Sequence, residues 1–446
     1  MPTSYAEETI LDISLFREPN WDPDCCIYKV PKRLRNVKNA AYTPKLILIG
    51  PVHHSREEPE DMKIMETLKK RYFNIFFSRT KKIRDDFEKI VEKNKDKIRR
   101  CYAEEITLPE GKNFVDMILL DSIFIIELFL RSTEAKEEGK DYILSKPWLK
   151  DGIRQDLILL ENQVPFFILD ELYQHFATGY QDSFLTLACK YFFISEEKIC
   201  DEKKVKHFTD LHRYFFHPPN RKPGDPIEHR HSATKLDMAG LIFQNRKEKE
   251  KKRVNRDLLQ VAIQKGNKLL EIFPCFNCSW LLQCLPCLKK IPFLESMQTR
   301  LVIPHFVVDN KTEDLFRNLM ALEQCHYPDK AYICNYILLL DFLINSKDDV
   351  ELLVEEGIIV HSLGSNKAVA EMVNKLGQEI VEEKSYYHDV AEDLNKYYRN
   401  WWNKNMESLK TVYFRDIWRG TATVVGIIVL VVTVMNFLRP FVFRHI

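Results

Sequence analysis

Four cysteines form the most distinctive spacing in the sequence, Cys275-x2-Cys278-x5-Cys284-x2-Cys287. Four thiolates can hold a zinc ion in a tetrahedral structural site. Zinc ribbons, however, separate their cysteine pairs by about 15–20 residues, whereas only five residues, Trp280 among them, separate the pairs here. The spacing is equally compatible with an S-acylated, membrane-touching loop or with simple hydrophobic packing. These three interpretations stay open, and we predict no bound metal or other cofactor.

The histidines give weaker signals for chemistry. His207, His212 and His217 are five residues apart, which turns about 140° on a helix and does not place them on one face. The pair His53-His54 follows Gly50-Pro51, where a turn is natural. We find no H-E-x-x-H motif and no ordered serine, histidine and aspartate set, so the sequence predicts no catalytic residues.

A polar triple inside an apolar run is the most informative motif. Glu161-Asn162-Gln163 lies within Leu159 to Leu169 and just before Pro165. Buried polar groups must be hydrogen-bonded, so we expect this triple to fasten neighbouring backbone at a break between helices. Arg317-Asn318 and Glu323-Gln324 are predicted to act in the same way elsewhere in the chain.

Composition excludes several classes of protein. The 446 residues carry 66 Lys+Arg against 65 Asp+Glu, a net charge of +1, so the chain has no global attraction to nucleic acid. Only 13 residues are glycine, and no glycine-rich phosphate loop occurs. The basic run Arg246 to Arg256 is interpreted as a solvated linker. We therefore predict no nucleic-acid partner.

The hydrophobic pattern predicts a mainly α fold: one large helical domain with minor short β segments. Tyr42 to His54 and residues 301–309 are predicted to be buried extended segments. In the first predicted helix, Met62, Met65, Leu68, Lys69 and Tyr72 recur at spacings of three or four residues. The further predicted helices are residues 81–103, 113–130, 153–176, 183–193, 310–324 and 332–344, followed by a long amphipathic stretch at 368–413 that is one helix or a broken pair.

The C-terminal run Thr421 to Leu438 is predicted to be a transmembrane helix, since 18 residues rise about 27 Å against a hydrocarbon core of about 30 Å. The N-terminus lacks a signal peptide. Basic residues flanking the run favour a cytosolic N-terminal side, and scattered cysteines agree with a reducing compartment. We expect a single-pass, tail-anchored protein of the plasma membrane or endoplasmic reticulum. Its predicted parts are a polar lead at 1–22, a domain at 23–410 with a loop and linker at 217–256, and a juxtamembrane segment and anchor at 411–446, with the span at 421–438.

A set of short strings recurs in order along the chain: Val30-Pro31, Ala41-Tyr42-Thr43-Pro44, Ile49-Gly50-Pro51-Val52-His53-His54, Leu119-Leu120-Asp121, Leu159 to Phe167, Ala233-Thr234-Lys235-Leu236, Ile303-Pro304, Phe316 to Cys325 and Gly357-Ile358-Ile359. Together they resemble the plant domain-of-unknown-function family number 247. The resemblance covers roughly residues 25–440, with mild departures at Val52, where a tyrosine is common, and at Lys235, where a glutamate is common. It implies a plant, membrane-associated, mainly helical protein with no established catalytic activity. Some grass relatives are linked to self-incompatibility, which suggests recognition or signalling.

From these features we predict a membrane-anchored protein that acts by protein–protein recognition or signalling, with an unidentified protein partner. One alternative is an enzyme or small-ligand receptor whose pocket lies near Glu161-Asn162-Gln163 and His53-His54. A second alternative is an effector that perturbs membranes through its C-terminal helices. The sequence leaves the oligomeric state open.

Overall fold

A computed structural model describes most of the chain, and the predicted cysteine cluster Cys275 to Cys287 lies outside the described residues. Nearly all of the N-terminal lead, residues 1–22, and all but the first residue of the basic run Arg246 to Arg256 also lie outside them. The described residues are 22–54, 60–111, 113–134, 141–177, 181–194, 205–216, 218–228, 231–246, 257–266, 298–405 and 417–442.

Helices dominate the described parts of the chain, as predicted. Those before residue 240 are α1 (Lys32–Val37), α2 (Glu60–Thr80), α3 (Arg84–Arg100), α4 (Phe114–Thr133), α5 (Pro147–Asp156), α6 (Phe166–Phe176), α7 (Phe184–Phe192), α8 (Phe208–Phe215) and α9 (Ala233–Met238). Those after it are α10 (Thr312–His326), α11 (Tyr332–Leu343), α12 (Lys347–Glu355), α13 (Asn366–Leu376), α14 (His388–Arg399) and α15 (Ile417–Val442).

Two small sheets accompany these helices. The strands are β1 (Ile242–Asn245), β2 (Ala262–Gln264), β3 (Arg300–Ile303), β4 (Phe306–Val308) and β5 (Ile359–His361). In the first sheet, β3 is central, parallel to β1 and antiparallel to β2. In the second sheet, β4 and β5 run parallel. The predicted extended segment at 301–309 is thus one strand from each sheet, joined at Pro304 and His305.

The chain divides into two compact units, and the first comprises residues 1–31 and 42–212. Its centre is α4, which packs against α2, α3, α6 and α7. Thirteen of the 20 residues of α4 are apolar, and most of the helix is buried, including the polar Asp121, Ser122 and Glu127. Aromatic rings fill the surrounding space, with Phe129 stacked on Tyr191 at 4.4 Å and Phe76 edge-on to Phe176 at 4.8 Å between ring centroids.

The second unit comprises residues 32–41 and 213–446. Its core lies among α10, α11, α12 and α13, and both small sheets contribute to it. Helix α12 begins with a capping box: the Ser346 side chain accepts a bond from the Asp349 backbone, and the Asp349 side chain accepts one from the Ser346 backbone. Such a capping box satisfies two N–H groups that the helix itself leaves without partners.

Two predicted helices are interrupted. The predicted helix at 153–176 is split into α5 and α6, because Pro165 cannot continue a helix and restricts the residue before it. The amphipathic stretch at 368–413 is a broken pair, α13 and α14, with an irregular segment between Gly377 and Tyr387.

The predicted transmembrane helix at 421–438 is wrong. Over the described parts of the chain, no helix combines the length and the unbroken apolar character that a membrane crossing requires. The predicted location at the plasma membrane or endoplasmic reticulum stays a prediction.

Candidate functional site

The triple Glu161-Asn162-Gln163 lies in the buried connection between α5 and α6 of the first unit. This connection has no regular secondary structure, so its backbone N–H and C=O groups, and those of the chain packed beside it, need other partners. The side chains of the triple supply them. We refer to these three residues as the polar triple.

Asn162 binds the irregular segment that follows Thr43. Its Oδ1 accepts a hydrogen bond from the Ile49 N–H at 2.7 Å, and its Nδ2 donates to the Ile47 carbonyl at 3.0 Å. The same Nδ2 donates to the Asp156 carbonyl at the end of α5, at 2.9 Å. One amide thus takes the place of a neighbouring strand for Ile47 and Ile49, both of which are fully buried.

Gln163 uses both ends of its amide in the same way. Its Nε2 donates to the Leu157 and Leu159 carbonyls, each at 2.7 Å. Its Oε1 accepts from the Phe208 N–H at 2.9 Å, in the first turn of α8. Gln163 therefore satisfies two carbonyls of the buried connection and one of the four N–H groups that a helix start leaves open.

Glu161 contacts two further segments. Its Oε1 accepts from the Val30 N–H at 2.7 Å, and its Oε2 lies 3.2 Å from the His53 Nε2. The second contact is outside hydrogen-bond geometry, although it becomes an ion pair when His53 is protonated. Both side chains are buried. The polar triple thus joins parts of the chain that lie more than a hundred residues apart in sequence.

Gly50 explains how the segment carrying His53-His54 comes so close. Its φ is +67°, and a Cβ at this position would lie 2.2 Å from the Gln163 carbonyl oxygen. The Gly50 N–H donates to the Asp121 Oδ2 at 2.9 Å. Only glycine adopts this backbone conformation without strain while leaving space for the carbonyl.

A buried lysine, which the sequence analysis did not identify as functional, extends this network. The Lys69 Nζ lies 2.6 Å from the Asp121 Oδ1 and 2.5 Å from the Glu66 Oε1, and it donates to the Leu48 carbonyl at 2.9 Å. Burial alone would lower the pKa of Lys69, but the two carboxylates raise it above its ordinary value, so the ammonium stays charged. The signal was present in the sequence: Lys69 occupies an inward position in the apolar stripe of α2.

Asp156 performs a related task at the end of α5. Its carboxylate accepts from the Lys45, Leu46 and Ile47 N–H groups at distances between 2.6 and 3.0 Å. Burial raises the pKa of Asp156, while these backbone donors act in the opposite direction. The segment that follows Thr43 is therefore held by side chains rather than by a sheet.

Glu323 has the equivalent position in the second unit. It is fully buried, and its Oε2 accepts from the Ile333 and Cys334 N–H groups at the start of α11, both at 2.9 Å. Its Oε1 accepts from the Arg213 Nε at 3.0 Å. Burial raises the pKa of Glu323, while Arg213 lowers it. The Arg213 guanidinium also lies 4.1 Å from the ring centre of Tyr327, a cation–π contact.

The remaining predicted residues of α10 also bind backbone. The Asn318 Nδ2 donates to the Ala41 and Asp314 carbonyls, both at 2.8 Å. The Arg317 Nη2 donates to the Lys375 carbonyl at 3.2 Å, and its Nε pairs with Glu313 at 2.9 Å. The Gln324 amide exchanges two bonds with the Val381 backbone, at 3.2 and 3.3 Å.

The histidines considered as metal ligands bind backbone too. The His207 Nε2 lies 3.0 Å from the Cys26 carbonyl, and the His212 Nδ1 lies 2.9 Å from the Phe208 carbonyl. Burial lowers the pKa of His212 to about 4. His217 lies outside the described residues. In the described parts of the chain, no three His, Cys, Asp or Glu side chains are placed to hold a metal ion.

A cavity of about 160 Å³ lies in the first unit, lined by Pro51, Val52, Tyr102 and Glu104 among others. Sites for small molecules usually enclose about 300–1,000 Å³. Tyr102, which lines this cavity, donates to the Gln163 carbonyl at 3.0 Å, and the side-chain amides of Asn162 and Gln163 are engaged with backbone. The arrangement therefore organises the irregular chain of both units, and its chemistry is that of hydrogen bonding.

Comparison with known proteins identifies the family of this chain. The model of a family described as plant protein of unknown function matches residues 27–432. The chain belongs to this family. UPF0481 protein At3g47200 of Arabidopsis thaliana is 28% identical over 450 residues, covering 92% of this chain and 85% of its own. A second UPF0481 protein of that plant, At3g02645, is 24% identical and covers 91% and 88% respectively. No solved structure matches the chain.

Proposed function

We propose that this member of the plant family is a recognition protein that binds a protein partner through an exposed aromatic patch on its first unit. The patch is formed by Phe193 at the end of α7 and the Arg154 guanidinium of α5 against its ring. We propose that the exposed Trp148, at the start of α5, extends it. The single observation that carries the proposal is Phe193, whose side chain is 77% exposed although it is large and apolar.

The backbone at Phe193 adds to this argument. Its φ is +57° and its ψ is +32°, the left-handed conformation that ends many helices and is usually filled by glycine. A phenylalanine here strains the backbone and gains little burial in return. Strained backbone conformations and residues that do not suit their local structure concentrate at functional positions.

The neighbouring side chains suit a protein interface. The Arg154 guanidinium lies 4.6 Å from the ring centre of Phe193 and 5.2 Å from that of Tyr191. Trp148, in the first turn of α5, is 65% exposed, whereas the next residue, Leu149, is buried. Tryptophan and arginine dominate the binding energy of protein interfaces, and aromatic residues are enriched there. The predicted pocket enzyme has less support, because the polar triple is engaged with backbone.

A photo-crosslinking experiment tests the proposal. The full chain carries a benzoylphenylalanine at position 193 and is irradiated in an extract of plant tissue. A matched protein carries the same group at Ile64, which is 58% exposed on α2. We expect a discrete cross-linked protein from position 193 that is absent from position 64, and that is lost when Trp148→Ala is added.

The same experiment contains the result that would overturn the proposal. Identical cross-linked products from positions 193 and 64, or no product from 193, would contradict a partner at the patch. Phe193→Gly provides a separate control of folding. Because glycine relieves the left-handed strain, this variant should be at least as stable as the native chain while losing the partner.

A further inference from the structure

Three cysteines meet where the first described segment of the chain passes the end of α3. The Cys26 and Ile27 N–H groups both donate to the Cys101 carbonyl, at 2.9 and 2.8 Å. The Ala103 N–H donates back to the Ile27 carbonyl at 3.0 Å, which makes Ile27 and Tyr102 a parallel bridge. Cys26 and Cys101 are the residues just before this bridge on the two strands.

The separation suits a disulfide. Adjacent strands lie about 4.7–4.9 Å apart, and disulfides join residues whose Cα atoms are about 4.4–6.8 Å apart. Because residues that precede a parallel bridge also lie opposite each other, the side chains of Cys26 and Cys101 extend to the same face. The Cys101 Sγ donates to the Lys97 carbonyl at 3.3 Å. The third cysteine, Cys25, is also buried but precedes Cys26, and successive side chains of an extended strand point to opposite faces.

Both thiols are buried, and the Cys101 Sγ donates to the Lys97 carbonyl in the closed structure. The thiolate is the nucleophile in disulfide exchange. The segment must therefore open before exchange begins, and either thiol can then attack while the other completes the exchange.

We propose that Cys26 and Cys101 form a reversible intrachain disulfide by exchange with a small-molecule disulfide such as glutathione disulfide. One of the two thiols loses its proton, attacks the sulfur–sulfur bond of the small disulfide, releases one small thiolate and forms a mixed disulfide. The other thiol then loses its proton and attacks the protein sulfur of the mixed disulfide, which releases the second small thiolate. Two protein thiols are oxidised, and one small disulfide is reduced to two thiols.

The position of this bond gives it a structural consequence. It would fix the segment Asp22 to Val30 to the end of α3, and Val30 donates to Glu161 of the polar triple. Both thiols are nearly inaccessible, with 2% exposure at Cys26 and 5% at Cys101. Exchange therefore requires local opening of the segment, and the disulfide, once formed, would oppose that opening. This inference does not depend on the proposed protein partner.

The test uses the reduced full-length chain in glutathione buffers of defined ratio. After the remaining thiols are alkylated, the chain is digested and the cross-linked peptides are fragmented in a mass spectrometer. We expect a Cys26–Cys101 peptide that grows with the share of glutathione disulfide and disappears when reduced glutathione is restored. Fragment ions that separate Cys25 from Cys26 identify the partner in the native chain, without any substitution.

Matched variants sharpen the assignment. The peptide should persist in Cys25→Ser and in Cys189→Ser, a buried cysteine of α7, and should be lost in Cys26→Ser. A mixed disulfide that remains on Cys101, a Cys25–Cys101 bond, or no cross-link in oxidising buffer would each overturn the proposal. The thermal unfolding of the native chain, oxidised against reduced, should shift upward only when the Cys26–Cys101 peptide is present.

Discussion

The Lys69 ammonium is placed where water is excluded, and its charge is matched by the carboxylates of Asp121 and Glu66. Asp121 is as deeply buried as the lysine and also accepts the Gly50 N–H. The pair is therefore a fixed part of the first unit, and its removal has a cost that a surface ion pair would not have.

Replacing Lys69 with methionine should destabilise the first unit by about 3–5 kcal/mol, because it leaves a buried carboxylate without its counter-ion. Urea unfolding of the two proteins at neutral pH measures this difference. Lys70→Met is the matched control, since Lys70 is exposed on the same helix. The control should change the free energy of unfolding by less than about 0.5 kcal/mol. Equal effects at the two positions would show that the buried pair does not stabilise the unit.

His212 provides a test of pH dependence. Its pKa in the folded chain is about 4, because burial disfavours the charged ring, against about 6.5 in an unfolded chain. As pH falls below 6.5 the unfolded state gains a proton that the folded state does not. The stabilisation is therefore present above pH 6.5 and is lost as pH falls towards 4. Between pH 7 and 5 the loss amounts to at most about 2 kcal/mol, since the ring keeps some contact with solvent.

His212→Gln should remove this part of the acid sensitivity. Urea unfolding at pH 7 and pH 5 gives the loss of unfolding free energy for each protein. The contributions of all other titrating groups cancel when the two losses are compared. The native chain should lose up to about 2 kcal/mol more than the variant. His175→Gln, at an exposed position on α6, should behave like the native chain. The same acid sensitivity in His212→Gln and the native chain would contradict the assignment.

At the scale of elements, the sequence predicts helices and helix starts, which depend on neighbouring residues. It does not predict contacts between segments that are far apart in sequence. Helix α4 follows from its apolar run, and the start of α12 follows from Ser346 and the acids after it. By contrast, the segment from Tyr42 to His54 has the composition of a strand, yet its backbone partners are side chains. Asn162 is 115 residues from Ile47 in sequence, and no local pattern connects them.

The same reasoning applies to the polar residues. The expectation that the triple fastens backbone came from its apolar surroundings and from Pro165, which interrupts the helix. The roles of these residues stay predictions, whereas the hydrogen bonds that motivate them are now defined. The identity of each bonded carbonyl depends on tertiary packing, which the spacing of residues does not encode. The run Thr421 to Leu438 does form part of a helix, α15, and the error was to take its apolar composition for a membrane span.

Gly50→Ala tests the close approach between the segment at Gly50 and the polar triple. Gly111→Ala is a matched control, because Gly111 also has a positive φ, +82°, but nothing lies within 4 Å of the point that an alanine Cβ would occupy there. Both substitutions should cost about 1 kcal/mol for backbone strain. Gly50→Ala should cost a further 1–3 kcal/mol or so, because its Cβ meets the Gln163 carbonyl. Urea unfolding of both variants measures the difference, and equal costs would contradict the contact.

At the scale of the whole molecule, the path of the chain is the main feature. The first unit is interrupted after Pro31 by a segment, residues 32–41, that belongs to the second unit. Lys38 pairs with Glu313 and Asp314. Asn318 donates to the Ala41 carbonyl. These contacts attach residues 32–41 to the second unit. Simple truncation at residue 212 would therefore remove the partners of a segment that lies near the N-terminus.

Asn318→Ala should loosen this segment in the full chain. The Ala41 carbonyl belongs to a fully buried residue, and losing its donor costs about 1–2 kcal/mol. If trypsin cuts after Arg35 and Lys38 through brief local opening, this cost raises the cleavage rate about 5–30-fold. Mass spectrometry of the early fragments gives the rate at each site. Asn395→Ala, on α14, removes an amide elsewhere in the same unit and should leave these cuts unchanged. Cleavage at the native rate in Asn318→Ala would mean that the ion pairs of Lys38 suffice to hold the segment.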